Sequence, residues 1–198
     1  MKRGNRAKPS ALARHITVIS LPGGRAFLRA GGLALRCAIG RGGISFRKRE
    51  GDGATPARRL RLLDLRVRRD RTLPPATGVP LQIIRRGDGW CDAPDDGRYN
   101  RPVRLPASAS HERMWREDRL YDVVGVLDWN VRPRASNRGS AIFLHLARPG
   151  YEPTEGCIAL ARDDLRRLFA AVPRPEFLIT AKPRKQRRKE IARPRRRG

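Results

Sequence analysis

Gly139-Ser140-Ala141-Ile142-Phe143-Leu144-His145 is an apolar run that closes on a histidine, and Thr154-Glu155-Gly156-Cys157-Ile158-Ala159-Leu160 carries a cysteine twelve residues further on. Between them, Ala147-Arg148-Pro149-Gly150-Tyr151-Glu152-Pro153 holds two prolines and a glycine, the composition of a tight connection. Ser140–Leu146 reads as a strand, and the turn after it can fold Cys157 back beside the imidazole. A thiol is weakly ionised near neutrality, and a neighbouring imidazole can take its proton to give the competent thiolate. Gly156 lets the backbone turn tightly and leaves amides facing a developing oxyanion. The same residues also fit a packed cysteine and a hydrogen-bonded histidine at a strand end, since buried cysteine is common.

Outward from this pair, short apolar runs are separated by Gly and Pro, the mark of a mostly-β domain. Ile16–Ser20, Arg25–Ala30, Leu33–Ile39, Leu60–Val67, Tyr121–Leu127 and Glu176–Thr180 read as further strands. A helix is expected after Asp163, which can cap it, with Leu165, Leu168, Phe169 and Val172 on one face and Pro173 as its stop. Residues 71–119 read as irregular, with a short helix around Ser110–Arg116, and so long a loop inside a domain points to a lid or a functional wall.

A second segment strengthens the first. His145 followed by Thr154-Glu155-Gly156-Cys157 resembles the active-site signature of the L,D-transpeptidase (YkuD-like) family: a strand-end histidine, then Ser or Thr, one residue, and Gly-Cys. Gly51-Asp52-Gly53-Ala54-Thr55-Pro56 resembles that family's Gly-Asp-x-x-Thr-Pro element. The resemblance implies a YkuD-like mixed β-sandwich with short helices over residues 15–181, the cysteine lying in a loop after a central strand. It implies Cys157 as nucleophile, His145 as general base, the Leu146 backbone carbonyl as the group that orients the imidazole, and Gly156 and Cys157 amides as the oxyanion donors. Arg148, Tyr151, Thr154 and Glu155, by their place in the His–Cys loop, are the expected substrate contacts, with Thr154 also shaping the turn.

The implied activity is peptidoglycan transpeptidation through a cysteine thioester, giving 3–3 or 1–3 cross-links between stem peptides, with no metal or organic cofactor. Water as acceptor would give an L,D-carboxypeptidase or amidase. A non-catalytic wall- or polyanion-binding protein is the competing class. The sequence departs from the family where Glu155 replaces a second histidine, Ala159 replaces Arg or Asn, and Arg58 replaces a glycine, which marks a divergent branch.

Composition bounds the rest. The chain of 198 residues has 45 Lys plus Arg against 19 Asp plus Glu, a net charge of +26. Residues 181–198 carry +9 and residues 1–14 carry +5, leaving +12 on the 166 between. The segments 1–14 and 182–198 therefore read as basic arms outside the fold, suited to contact with a polyanion rather than to specific nucleic-acid recognition. There is no apolar run of about 18 residues that could span a membrane as a helix. Three cysteines do not make a disulfide framework or a zinc site. The apolar stretch His15–Leu21 is too short for a secretory signal and is closed by Pro22-Gly23-Gly24. On substrate grounds the expected location is still the periplasm or cell wall.

Among lone residues, Cys37 reads as core, Cys91 as a packed loop residue or a groove neighbour, and His111 as an exposed histidine. Tyr99-Asn100-Arg101-Pro102-Val103 and Tyr121-Asp122 are polar-aromatic clusters that could line a cleft but fit loop anchors better.

Overall fold

Leu60 and Leu62 are separated on the chain by Arg61 alone, yet they belong to strands near opposite ends of one ten-stranded sheet. The sheet must therefore curl until its ends meet. The computed structural model describes residues 15–21, 25–172 and 177–181. The basic arms 1–14 and 182–198, Pro173 and Glu176 lie outside the described residues.

The strands, in chain order, are β1 (His15–Ser20), β2 (Ala26–Ala30), β3 (Leu33–Ala38), β4 (Ile44–Ser45), β5 (Thr55–Pro56), β6 (Arg59–Leu60), β7 (Leu62–Val67) and β8 (Leu81–Ile83). They continue with β9 (Asp88–Cys91), β10 (Pro102–Arg104), β11 (His111–Arg113), β12 (Val123–Leu127), β13 (Phe143–Leu146), β14 (Ile158–Leu160) and β15 (Phe177–Ala181), with α1 (Arg162–Ala171) before the last. The large sheet runs β6-β15-β1-β2-β3-β14-β13-β12-β7-β8, parallel at β15/β1, β14/β13 and β7/β8 and antiparallel elsewhere. The architecture is a mostly-β mixed sandwich with one α-helix among the described residues.

Period-two alternation decides which side each residue faces. Val18, Leu28, Leu35, Leu65, Leu144, Ile158 and Leu160 fill the inside of the curl, and Leu165, Leu168 and Phe169 of α1 close it. Gly125 of β12 stays a glycine for a steric reason, since a Cβ there would stand 2.7 Å from Leu62 Cδ1. On the other face of β12–β13 a small sheet, β10-β9-β11, packs through Trp90 and Met114 onto Val124, Val126, Phe143 and Tyr121. Trp90 meets the Phe143 ring edge-on at 5.2 Å. Arg68, almost wholly buried, is held bidentately by Asp70 at 2.8 and 2.7 Å, donates to the Arg116 carbonyl at 2.9 Å and lies over the Trp115 ring. That arginine ties the small sheet's exit to β7.

Several expected elements differ. The expected helix at Ser110–Arg116 is a strand, its backbone paired with Gly89–Cys91. The expected strand Leu60–Val67 breaks at Arg61, whose amide turns to Asp128 Oδ1 at 2.8 Å. The expected strand Ser140–Leu146 begins only at Phe143, because Ala141 takes a positive φ of 50°. Helix α1 starts a residue before Asp163, with Ala161 at the N-cap and no side-chain capping bond, so Asp163 lies in the first turn, where its charge suits the helix dipole.

Candidate active site

Strands β13 and β14 pair in parallel with Leu144 opposite Ile158 and His145 opposite Ala159. Leu144 and Leu146 point into the main core, so Phe143 and His145 point the other way. Cys157, one residue before β14, packs with Phe143 in the second core cluster. The cysteine and the histidine therefore sit diagonally on adjacent central strands and open into one cavity of about 800 Å³. Both are nearly enclosed, at 8% and 5% exposure, so the cavity reaches only their tips.

The histidine is held in one tautomer. Its Nδ1 lies 2.8 Å from the Leu146 carbonyl oxygen. A carbonyl only accepts, so Nδ1 carries the proton and Nε2 keeps its lone pair. Burial pulls the imidazole down to about 4, outweighing the Leu146 hydrogen bond, so the ring is neutral at physiological pH. Tyr121 braces it edge-on, with ring centroids 5.3 Å apart.

The thiol is at rest. Cys157 Sγ donates to the Ala141 carbonyl at 3.2 Å and accepts from the Phe143 amide at 3.3 Å, rather than bonding His145. Burial pushes it well above the usual thiol range; the nearby Glu112 charge adds to that, and the Phe143 amide opposes it. For Sγ to meet Nε2 it would have to leave the Ala141 carbonyl.

The Gly-Asp-x-x-Thr-Pro element cradles the turn that carries Cys157. Asp52 accepts from the Ala54 and Arg49 amides at 2.9 and 2.7 Å and pairs with Lys48 at 2.5 Å. Although burial works against it, the Lys48 and backbone bonds hold the Asp52 carboxyl below the ordinary range. Thr55, fully buried, accepts from the Gly40 amide at 2.8 Å and donates to the Gly156 carbonyl at 2.9 Å. The backbones approach too closely for side chains: a Cβ on Gly40 would meet the Gly53 carbonyl oxygen at 2.2 Å. Gly156 itself has φ +134°, and a Cβ there would stand 2.9 Å from the Ala54 carbonyl oxygen.

Thr154 finishes the turn by donating to the Cys157 carbonyl at 2.6 Å and accepting from the Gly156 amide at 3.2 Å. In this state the Gly156 amide, expected as an oxyanion donor, is therefore engaged. Arg148 stands at the cavity mouth, 3.8 Å from Glu152, and Glu155 lies on the rim in an exposed ion pair with Arg41 at 2.9 Å. Tyr151, expected to touch substrate, does not line the cavity. Its ring lies 4.3 Å under the Arg36 guanidinium, which also donates to the Gly150 carbonyl at 3.1 Å.

Sequence reading missed the opposite wall. Glu112 of β11, Tyr121, Arg116 and Asp92 line the cavity, as does Glu50, which accepts from Ser140 Oγ at 2.9 Å. The Tyr121 hydroxyl donates to Glu112 Oε1, so Tyr121 is part of the site as well as an anchor. Only the Tyr121-Asp122 cluster gave a signal; Glu112 gave none. His111 lines the same wall, with Nδ1 2.8 Å from the Ala109 carbonyl. Cys37 is core, its thiol pushed up to about 12 by burial, and Cys91 is buried in β9. Among the described residues no group of His, Cys, Asp and Glu is placed to hold a metal ion.

The model of the YkuD family, L,D-transpeptidase catalytic domain, matches residues 14–185. The chain belongs to that family. Members of the YkuD family are cysteine-dependent L,D-transpeptidases that act on peptidoglycan peptides. Among solved structures this YkuD domain is similar to the crystal structure of Mycobacterium tuberculosis L,D-transpeptidase 1, at 10% identity and a TM-score of 0.37. The match covers 85% of this chain and 62% of that one, so the chain spans about three-fifths of that enzyme's length. No curated protein matches the chain. No helix among the described residues is long and apolar enough to cross a membrane.

Proposed function

We propose that this YkuD domain is a peptidoglycan L,D-transpeptidase that works through a thioester on Cys157. One observation carries the reading: a buried imidazole whose Nδ1–H is fixed on the Leu146 carbonyl shares a face and a cavity with the cysteine. His145 Nε2 takes the proton from Sγ. The thiolate attacks the carbonyl of the L-centre of diaminopimelate, at position three of a stem peptide. The Cys157 amide, and the Gly156 amide once released from Thr154, steady the oxyanion. His145 returns the proton to the departing D-Ala amine, and the thioester remains.

An amine of a second stem then attacks the thioester, giving a 3–3 link from a diaminopimelate side chain or a 1–3 link from an N-terminal L-Ala. Arg148 at the mouth and Glu155 on the rim would meet stem-peptide charges, and Thr154 would act through the turn. The substrate puts the enzyme in the periplasm or cell wall, where the basic arms would hold anionic polymer.

A carbapenem tests the reading. The full chain should gain one drug mass on Cys157, located by peptide mapping, and the Cys157→Ala chain should gain none. No adduct, or one retained by Cys157→Ala, overturns it.

A further inference from the structure

In a chain of net charge +26, the cavity over Cys157 is lined by five carboxylates and only three guanidiniums. Glu50, Asp92 and Glu112 line it, while Arg116, on the same wall, is committed to Asp118 at 2.5–3.2 Å and lies 4.0 Å from Glu112. Carboxylate charge beside a nucleophilic thiol opposes its ionisation, so that wall hinders the first half-reaction. It fits the second, in which a cationic amine must be brought to the acyl group. Glu112 is built for this. Its Oε1 is fixed by the Tyr121 hydroxyl, Tyr121 braces His145, and among the described residues Oε2 accepts no hydrogen bond.

We propose that Glu112, held by Tyr121, anchors the ammonium group of the acyl acceptor beside the Cys157 thioester and takes its first proton. The inference rests on the acyl-transfer reading above and assigns the acceptor side of the same cavity.

The ammonium transfers one proton to the Glu112 carboxylate. The freed amine attacks the thioester carbonyl, and the C–N bond forms as the C–S bond breaks. The second nitrogen proton passes to His145 Nε2 and from there to the Cys157 sulfur. Glu112 then releases its proton to solvent, and the cycle closes. Burial raises the Glu112 carboxyl above its ordinary value, against the Tyr121 bond and Arg116, which brings it closer to an amine's basicity. Asp92 adds negative charge to the same wall.

Partitioning tests this in the full-length protein, with an amine-acetylated soluble stem tetrapeptide as donor and an amine-bearing stem peptide competing with water as acceptor. A charged hydrogen bond lost from the acceptor step predicts that Glu112→Gln lowers the ratio of cross-linked to hydrolysed product about tenfold to a hundredfold. It should raise the KM for the acceptor in parallel and quicken formation of the acyl-enzyme, because one like charge has left the thiol. Glu112→Asp should recover part of the ratio. An unchanged ratio in Glu112→Gln overturns the proposal. So does an equal slowing of acyl-enzyme formation and aminolysis, the sign of a merely structural residue. A wild-type chain that never forms a Cys157 acyl-enzyme overturns the acyl-transfer reading itself, and this proposal with it.

Discussion

Replacing Thr55 with valine swaps one hydroxyl for a methyl and keeps the shape of a side chain that is fully buried. The hydroxyl serves two backbone groups from distant parts of the chain, the Gly40 amide at 2.8 Å and the Gly156 carbonyl at 2.9 Å. Both bonds lie where water does not reach, so valine leaves a donor and an acceptor unpaired. Each such group costs about 1–3 kcal/mol, which sums to about 2–6 kcal/mol. That is a large part of the roughly 5–15 kcal/mol that holds a domain together. Thr55→Ser keeps both bonds and loses one methyl, about 1 kcal/mol. Urea unfolding of the two variants and the wild type, with the slope checked for constancy, reads the difference. Acylation should fall with valine as well, because the freed Gly156 carbonyl loosens the turn that presents Cys157. A Thr55→Val protein within about 0.5 kcal/mol of wild type, or a serine variant as damaged as the valine one, would refute the reasoning.

His145 stays neutral until about pH 4 in the fold but takes its proton near 6.5 when unfolded, so the unfolded state binds more protons between those values. Stability should therefore fall by about 3 kcal/mol as pH drops through that window, and His145→Gln should flatten this slope in urea titrations. The acid limb of acylation should lie near pH 4 rather than 6.5. Native Cys157 should react slowly with iodoacetamide at pH 7, with a rate still rising past pH 9, as followed by intact mass; an early plateau would mean a preformed thiolate. Gly156→Ala, forced to a φ of +134° with its methyl 2.9 Å from the Ala54 oxygen, should lose more than tenfold in acylation rate and lower the urea midpoint. Deleting residues 182–198 should spare turnover of a soluble stem peptide and weaken retention on anionic polymer most at low salt, in a pull-down across a salt series.

The parts legible in sequence were those written locally. The strand runs from Ile16 to Ile39 and the spacing of His145 and Cys157 are patterns within a few residues of each other, and the Thr55-Pro56 element stood out through resemblance. What was hidden is non-local. A three-residue strand such as His111–Arg113 has too few residues to show a period, and only its pairing with Gly89–Cys91 makes it a strand. That pairing brings Glu112 to Tyr121 and so to His145, contacts for which nothing near Glu112 in the chain gives warning. Tyr151 shows the opposite case. Its place in the His–Cys loop pointed to the cavity, but its ring lies under the Arg36 guanidinium of β3 and does not line it. Asp163 matched a capping pattern, yet the helix begins one residue earlier.

The central claim is that Cys157 carries the acyl group of a stem peptide. Its most direct test is intact-protein mass spectrometry of the full chain, quenched in acid during a single turnover with a stem tetrapeptide whose amines are acetylated, so that no acceptor is present. A transient adduct of the acyl tripeptide should appear on Cys157, with one equivalent of D-Ala released, and neither should appear in Cys157→Ala. Release of D-Ala with no adduct at any time, or an adduct on Cys37 or Cys91, would contradict it.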